Sequence, residues 1–389
     1  MTPSLPTELL KKIFGYATYA GVDVDLAVTH REIEPFTFAK FEKDSLDTMA
    51  TKISLTRVSR RFRRIALEFL FKFVCIYTSK QATKLVNMMK RPSSNAGLGP
   101  REWIKFLFVR CSIERRVTEI LQLCRGLRGI SWNPTTFQRS LKNWEAVQDE
   151  MIRNIPTNIR ILHWNGRVLF STFASFLQRA SALRILYVSG VTVDTTLPQP
   201  VQSALYASLT NLHVEHPPRL GWLDNVTWEM PSLIELSLFV HYHHYRDGSF
   251  PSFVRNVSKT LRVLRLGPHV ELVPQLMSHI LNTCVNLEEI YYYTIHEHHS
   301  FLWAFHTKHT TMKRIGLSIF MERHTMDRAS ATLRQYLGPI SKARFPSLDT
   351  VVVCDASRTP LIPTGSHLRM KRVSEDFYSA EISLVHNVQ

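Results

Sequence analysis

The chain has little glycine and proline for its length, 14 and 19 residues among 389, which argues against a low-complexity or disordered protein. It also lacks long apolar runs. Its first residues include two lysines and a glutamate where a secretory signal would need apolar residues. The most apolar stretch, 67–77, is interrupted by Glu68 and Lys72 and is shorter than the ~20 residues of a membrane span. We therefore expect neither a signal peptide nor a membrane partner.

Cysteine is also scarce, and its spacing argues against two common uses. The five cysteines are Cys75, Cys111, Cys124, Cys284 and Cys354. Their number is odd, no two form a Cys-x-x-Cys pair, and most have apolar neighbours, so we predict buried free thiols and no disulfide framework. Free thiols are typical of a reducing compartment, which predicts a location in the cytoplasm, the nucleus or both.

The motifs of common enzyme classes are missing. The sequence has neither of the two common Gly-rich nucleotide loops and no Gly-x-Ser-x-Gly elbow. In segment 296–299 the second histidine lies too close to the first for a His-Glu-x-x-His zinc site, and zinc-finger spacing is absent. We therefore predict a protein that is not itself an enzyme and that needs no cofactor or metal.

Histidines nevertheless cluster after three successive apolar segments. They are His241, His243, His244, His269, His296, His298 and His299. In a stacked array they would lie along one rim, where they could bind a metal or respond to pH. Solvated loop histidines are the simpler interpretation, and we predict no metal site.

The net charge of +16 is unevenly distributed. Residues 79–194 contain 18 basic and 7 acidic residues, which is most of the excess. A basic surface attracts acidic partners, whether protein or nucleic acid, and a merely solvated basic surface is the alternative.

A repeated Leu-x-x-Leu-x-Leu segment dominates residues 101–353. Ten copies begin at 104, 127, 159, 183, 209, 233, 261, 287, 312 and 348, mostly 23–28 residues apart. That spacing is typical of leucine-rich repeats. Helix-like apolar spacing lies between copies, for example Phe173, Phe176 and Leu177. One strand-plus-helix unit cannot bury its apolar face alone, so we predict an α/β solenoid with a parallel strand ladder.

Side chains alternate along a strand, so the template leucines should point inward and their neighbours outward onto one face of the sheet. We predict target-binding residues in that outward row: Phe108, His163, Tyr187, His213, Arg265 and Tyr291. Aromatic and arginine side chains are common where a few residues dominate binding energy. An ordinary exposed sheet face without a ligand is the alternative.

The N-terminal region does not follow this period. Segment 5–17 predicts a helix with Leu9 and Ile13 on one face and Leu10 and Phe14 on another. A second helix is predicted over 55–70. Its apolar stripe is Val58, Phe62, Ile65, Ala66 and Phe69. The chain therefore divides into a helical domain over 1–78 with an insertion at 18–54, a linker over 79–100, the solenoid over 101–360, and a tail or cap over 361–389.

The segments LPTELLKKIF and LTRVSRRFRRIALEFLF resemble the two halves of the F-box, in particular the F-box-like proteins of mushroom-forming fungi, where an insertion often separates the halves. Phe62 stands where many F-boxes carry tryptophan. The resemblance implies that the helices dock a Skp-type adaptor and, through it, a cullin. It assigns adaptor contacts or the module's own core to Leu5, Pro6, Leu9, Leu10, Ile13, Phe14, Val58, Phe62, Ile65 and Ala66. The alternative is that these residues only cap the first repeat.

The F-box resemblance and the predicted solenoid together lead to one functional hypothesis. The F-box would dock the adaptor of a Skp–cullin–F-box ubiquitin ligase while the solenoid binds the target protein. The alternative is a non-catalytic basic scaffold that binds nucleic acid or protein outside a ubiquitin ligase.

Overall fold

A computed structural model of the chain describes most of the sequence. The described residues are 5–23, 28–29, 38–91, 99–111, 114–134, 144–192, 201–215, 226–239, 249–267, 270, 272–294, 308–319, 340–355 and 383–384. The chain forms two compact units, Met1–Asp194 and Thr195–Gln389. Within these ranges no helix combines the length and the apolar character that crossing a bilayer requires.

The first unit contains helices and a parallel strand ladder. Its helices are α1 Thr7–Ala17, α2 Phe38–Asp47, α3 Met49–Val58, α4 Arg60–Lys72, α5 Ser79–Lys90, α6 Pro100–Trp103, α7 Glu114–Leu123, α8 Trp144–Asn154 and α9 Phe170–Arg179. Its strands are β1 Val22–Asp23, β2 Val28–Thr29, β3 Phe73–Ile76, β4 Phe106–Val109, β5 Gly129–Trp132, β6 Ile161–Leu169 and β7 Ile185–Thr192. Strands β3 to β7 pair in chain order, all parallel, while β1 and β2 form a short antiparallel pair.

The second unit contains a similar ladder with fewer described helices. Its strands are β8 Val201–Leu205, β9 Asn211–Glu215, β10 Val226–Glu229, β11 Glu235–Phe239, β12 Val263–Leu266, β13 Glu289–Thr294, β14 Arg314–Ile319, β15 Thr350–Asp355 and β16 Ser383–Leu384. Its helices are α10 Ser249–Val257 and α11 Pro274–Thr283. Strands β9 and β11 to β16 pair in chain order, all parallel.

The predicted α/β solenoid with a parallel ladder is confirmed. Each of the ten template segments contains one ladder strand, and the equivalent template positions pair in register. Leu162 lies opposite Leu186 in the first unit, and Leu236 lies between Leu212 and Leu264 in the second. All five are at most 1% exposed. Burying one leucine side chain contributes roughly 1.5–3 kcal/mol, so this inner row supplies much of the stability of each ladder.

The segments that return the chain between strands are of two kinds. The predicted helical spacing at 173–177 is confirmed as part of α9, and α11 has the equivalent place between two strands of the second unit. In the second unit, β8 and β10 are instead extended and pair with each other in parallel. The backbone N–H of Tyr206 donates to the carbonyl oxygen of Glu229 at 2.8 Å, which closes this pair at its end.

Three predicted boundaries differ from the structure. The predicted helix over 55–70 is two helices, because Ser59 has an extended backbone and its side chain accepts a hydrogen bond from Phe62 N at 3.1 Å. Strand β3, inside the predicted helical domain, begins the ladder. The predicted linker over 79–100 contains α5, whose start is stabilised by a capping box between Thr78 and Gln81. The segment 361–389, for which a tail or a cap was predicted, contains β16, which pairs with β15 at the end of the ladder.

One buried charge lies at the junction of α3 and the ladder. The side chain of Lys52 is 1% exposed, and its Nζ lies 3.4 Å from the carbonyl oxygen of Ser45 and 5.2 Å from the ring centre of Phe73. Burial removes water from the ammonium and lowers the pKa of Lys52 from 10.5 to about 8. The folded state therefore carries a charge that water would solvate better.

We expect Lys52→Met to stabilise the protein at neutral pH and to change how stability depends on pH. The pKa of Lys52 is lower in the folded state, so the unfolded chain binds more protons between about pH 8 and 10.5. The lysine therefore destabilises the fold fully below pH 8, and this effect fades as pH rises through the window. Urea unfolding at about pH 7 should give the variant roughly 2–3 kcal/mol more stability, with almost no difference near pH 10.5.

Lys72→Met is the matched control for this prediction. Lys72 is only half-buried and lies over the same Phe73 ring at 5.5 Å. A pH profile that Lys52→Met leaves unchanged, or that Lys72→Met changes equally, would contradict the prediction.

Candidate functional site

The N-terminal helices form a small core around one face of α1. The helix starts after Pro6, whose carbonyl oxygen accepts a hydrogen bond from Leu10 N at 3.1 Å. Leu10 and Phe14 pack against Ile65 and Ala66 of α4, and all four are buried. The ring of Phe62 lies 5.1 Å from that of Phe14, and the ring of Phe69 lies 6.0 Å from it. This face of α1 is therefore occupied within the chain.

Another face of α1 remains exposed and apolar. Leu9, Ile13 and Tyr16 are spaced by four and three residues, which places them on one side of the helix, and they are 46%, 49% and 84% exposed. Leu5, just before the helix, is 50% exposed. We call these four residues the α1 surface. Eight of the twelve large apolar residues exposed in the described ranges lie within residues 5–58, so the exposure is concentrated at this end of the chain.

Charged and polar contacts hold the α1 surface in place. The guanidinium of Arg61 donates to the carbonyl oxygen of Leu5 and, at 3.3 Å, to Oγ1 of Thr7. Lys11 pairs with Glu68 of α4 at 3.1 Å. These contacts join the start of α1 to α4 and leave the apolar side chains of the surface exposed.

The structure separates the residues assigned to adaptor contact into two groups. Five lie in or against the small core: Leu10, Phe14, Phe62, Ile65 and Ala66. The other five are exposed: Leu5, Pro6, Leu9, Ile13 and Val58. Val58 was predicted in the apolar stripe of a helix over 55–70. It instead ends α3 before the break at Ser59 and lies outside α4.

The outward row of the first ladder is covered by α2, contrary to the expectation that it faces a partner. Phe108 is buried, while His163 and Tyr187 are half-buried. The ring of Phe38 stacks on His163 at 4.4 Å and meets Tyr187 edge-on at 4.8 Å. The ring of Phe41 lies 5.1 Å from that of Phe108. Two aromatic side chains of the insertion therefore cover residues that were predicted from the sequence to bind a target.

The outward row of the second ladder is a polar network. Arg265 donates from Nε to Glu235 at 2.9 Å, and its guanidinium carbon lies 4.1 Å from the ring centre of Tyr291. The hydroxyl of Tyr291 donates to Glu289 at 3.1 Å, and burial raises the pKa of this phenol. His213 bonds to Glu215 at 3.0 Å. We call the row from His213 to Tyr291, with its bonded carboxylates, the polar ladder face.

This network holds an arginine and an aromatic ring in fixed positions. The side chains of Arg265 and Glu235 are 15% and 19% exposed, so their ion pair is largely screened from water. Pairs of this kind stabilise a specific geometry more reliably than solvated surface pairs do. The face can therefore present a rigid array of aromatic, cationic and carboxylate groups to a partner.

Three charged residues beside the polar ladder face were not predicted from the sequence. Glu235, Glu289 and Arg314 lie two positions before Ser237, Tyr291 and Gly316 on their strands and therefore face the same side. Arg314 bonds to Glu289 at 3.4 Å. The alternation rule that selected the outward row, applied one step further along each strand, would have found all three.

The remaining polar clusters of the described residues do not form a metal site. No group of three potential ligands lies together in the described ranges, and the seven clustered histidines of the sequence analysis lie outside those ranges. Cys75, Cys111, Cys124 and Cys284 do not form disulfides. Burial raises the pKa of Cys124 and Cys284 to about 12, which keeps both protonated and unreactive at neutral pH.

We expect Gly316→Ala to disrupt the polar ladder face. A Cβ atom at this position would lie 2.0 Å from a ring carbon of Tyr291, so the ring would have to leave its place beneath Arg265. Such overpacking costs about 1–3 kcal/mol in unfolding free energy. The clash is absent when Tyr291→Ala is combined with Gly316→Ala. The double variant should therefore lose less unfolding free energy than the two single variants lose in sum. Additive losses in a denaturant series would contradict this account.

Comparisons with known proteins give similarity of structure only. No family model and no curated protein matches the sequence. A crystal structure of a Bacteroides fragilis protein matches with a TM-score of 0.43 and 13% identity, covering 82% of this chain and 84% of its own. The crystal structure of the Rad7 and Elc1 complex in yeast matches with a TM-score of 0.41 and 11% identity, covering 98% of this chain and 93% of its own. The function proposed below therefore depends on residues of this chain.

Proposed function

We propose that the chain is a non-catalytic substrate receptor of a Skp–cullin–F-box ubiquitin ligase. The α1 surface docks a Skp-type adaptor, and the ladder binds the target protein. One observation carries this proposal: α1 exposes Leu9, Ile13 and Tyr16 while Leu10 and Phe14 fill the core beside it. A helix that served only as a cap would have no need of the exposed set.

The arrangement of α1 suits helix-mediated docking. Exposed apolar residues grouped on one helix face are uncommon on monomeric proteins and often mark a surface that another protein covers. Here they extend from Leu5 to Tyr16, about three helical turns, and this length matches the anchor spacing of helices that bind to apolar grooves. The F-box resemblance of segments 5–14 and 55–71 supports a Skp-type adaptor as the partner.

The ladder supports the second half of the proposal. The polar ladder face combines Arg265, Tyr291 and nearby carboxylates in fixed positions, and arginine and tyrosine are common among residues that dominate binding energy. A receptor of this kind does not itself catalyse the formation of a covalent bond. It would accelerate ubiquitin transfer by holding target lysines near the charged enzyme of the complex.

We expect Leu9→Asp to weaken adaptor binding by at least about thirtyfold without unfolding the protein. The aspartate would place a charge in an apolar interface, and loss of a dominant contact costs about 2 kcal/mol or more, roughly thirtyfold in affinity. Because Leu9 is 46% exposed, the thermal midpoint should change little. Calorimetric titration with a purified Skp-type adaptor measures the first effect, and thermal unfolding measures the second.

Two further variants separate docking from capping. Val285→Asp alters an apolar residue that is 60% exposed in the second unit and should leave adaptor affinity unchanged. Phe14→Ala removes a core ring and should lower stability by about 3–5 kcal/mol. If Leu9→Asp destabilised the fold as Phe14→Ala does, or left adaptor binding intact, the α1 surface would be a cap and the proposal would fail.

Nucleic-acid binding is the second candidate function, and one observation favours it. Arg57, Arg60, Arg63 and Arg64 are exposed around the junction of α3 and α4. Binding through these arginines would weaken steeply with salt, because each neutralised phosphate releases counterions. Fluorescence anisotropy with single-stranded RNA should show an affinity that falls as salt rises and that declines further in an Arg60→Gln and Arg64→Gln variant. Affinity independent of salt would remove this candidate.

A further inference from the structure

The outward face of the first ladder carries a helix from the same chain. Helix α2 lies across the strands, with Phe41 against β3 and β4 and Phe38 reaching β6 and β7. The ring of Phe41 lies 5.4 Å from Phe73 and 4.9 Å from Phe106. Both rings of the helix are nearly fully buried. They rest on an aromatic floor formed by side chains of the ladder.

An acidic residue of the same helix completes the attachment. Glu42 Oε2 accepts from Nε of Arg110 at 2.8 Å, and its Oε1 accepts from the hydroxyl of Tyr77 at 2.9 Å. Arg110 directly follows β4, and the carboxylate and guanidinium are 8% and 15% exposed. Both oxygens of the buried carboxylate are therefore bonded to groups outside α2.

These described contacts between α2 and the ladder use side chains. No backbone–backbone hydrogen bond in the described ranges joins α2 to a strand. The anchors Phe38, Phe41 and Glu42 stand at positions i, i+3 and i+4 of one helix. An amphipathic helix of one protein binds to a groove of another through this spacing. The helix therefore attaches to the ladder as a separate ligand would.

The side chains that line the groove favour a ligand of particular chemistry. Phe73, Phe106 and Phe108 form its apolar floor, Arg110 and Tyr77 receive a carboxylate at one end, and His163 offers a flat ring at the other. The imidazole of His163 is oriented by a hydrogen bond between its Nδ1 and Ser131 Oγ at 2.8 Å. This arrangement selects two aromatic side chains one helical turn apart, followed directly by an acid.

We propose that this face is a target-binding groove, that α2 is its intramolecular occupant, and that the target enters as a helix with the pattern aromatic-x-x-aromatic-acid. The inference rests on the proposed function, since it names the target class of that receptor. Binding in trans then requires α2 to leave. If α2 left the groove open about 1% of the time, the apparent affinity would be about a hundredfold below the intrinsic value.

The first experiment uses the unmodified full chain and a synthetic peptide of residues 38–49. Hydrogen exchange is measured with and without excess peptide. Peptide that takes the groove should accelerate exchange of α2 amides while β4 and β6 stay protected. A peptide with Lys43→Ala, which alters an exposed position, should act equally, and one with Phe41→Ala should have no effect. Unchanged α2 exchange at the highest peptide concentration would show that α2 is a permanent part of the core.

The second experiment releases α2 within the chain. Full-length protein with Phe38→Ala and Phe41→Ala should bind labelled peptide at least tenfold more tightly than wild type. Should that variant unfold, Glu42→Arg offers a milder release, because it breaks only the contacts to Arg110 and Tyr77. An Arg110→Glu chain should reject the wild-type peptide and accept a Glu42→Arg peptide.

Two outcomes of the second experiment overturn the proposal. A folded, released variant that does not bind the peptide contradicts a groove, and a wild-type chain that dimerises by exchanging its intact α2 assigns the face to a second copy of the chain. Sedimentation analysis distinguishes these. No adaptor is present in either experiment, so failure of the α1 surface would leave these results unchanged.

Discussion

The alternation of side chains along stacked parallel strands is the constraint on which the other features depend. Each ladder strand commits one set of side chains to the inner row, where Leu162 and Leu236 are buried against their neighbours in register. The other set must then face outward, whatever its chemistry. The character of each outward row therefore follows from which residues occupy the positions between the leucines.

The outward rows of the two units differ in composition and in what contacts them. In the first, the row is aromatic and would expose a large apolar area, and α2 covers it with Phe38 and Phe41. In the second, the row carries charges that neutralise one another, as in the pairs of Arg265 with Glu235 and Arg314 with Glu289. A covered apolar face can bind a partner only by exchange, whereas a paired polar face can bind one directly. The two faces therefore suit different modes of recognition.

The N-terminal helices likewise divide their apolar side chains into a buried set and an exposed set. Because α1 buries Leu10 and Phe14 against α4, the helical period places Leu9, Ile13 and Tyr16 elsewhere on its surface. Intrachain packing alone does not account for that apolar set. The proposed docking to an adaptor gives it a partner, and the break at Ser59 fixes where the supporting helix α4 begins.

The repeat period by itself determined the class of fold, the ten template strands and the inner row, because these depend on contacts between neighbouring units whose pattern is local in the sequence. The sequence also separated the two faces of α1, through the helical spacing of its apolar residues. It could not place β3 in the ladder, since FVCI lacks the template leucines, or show that Thr78 and Gln81 cap a helix in a predicted linker. Only the tertiary structure decided that the insertion returns to cover the outward row. Phe38 and Phe41 follow no repeat, and their partners, such as Tyr187, lie far along the chain, so the contact exists only once the ladder has brought those strands together.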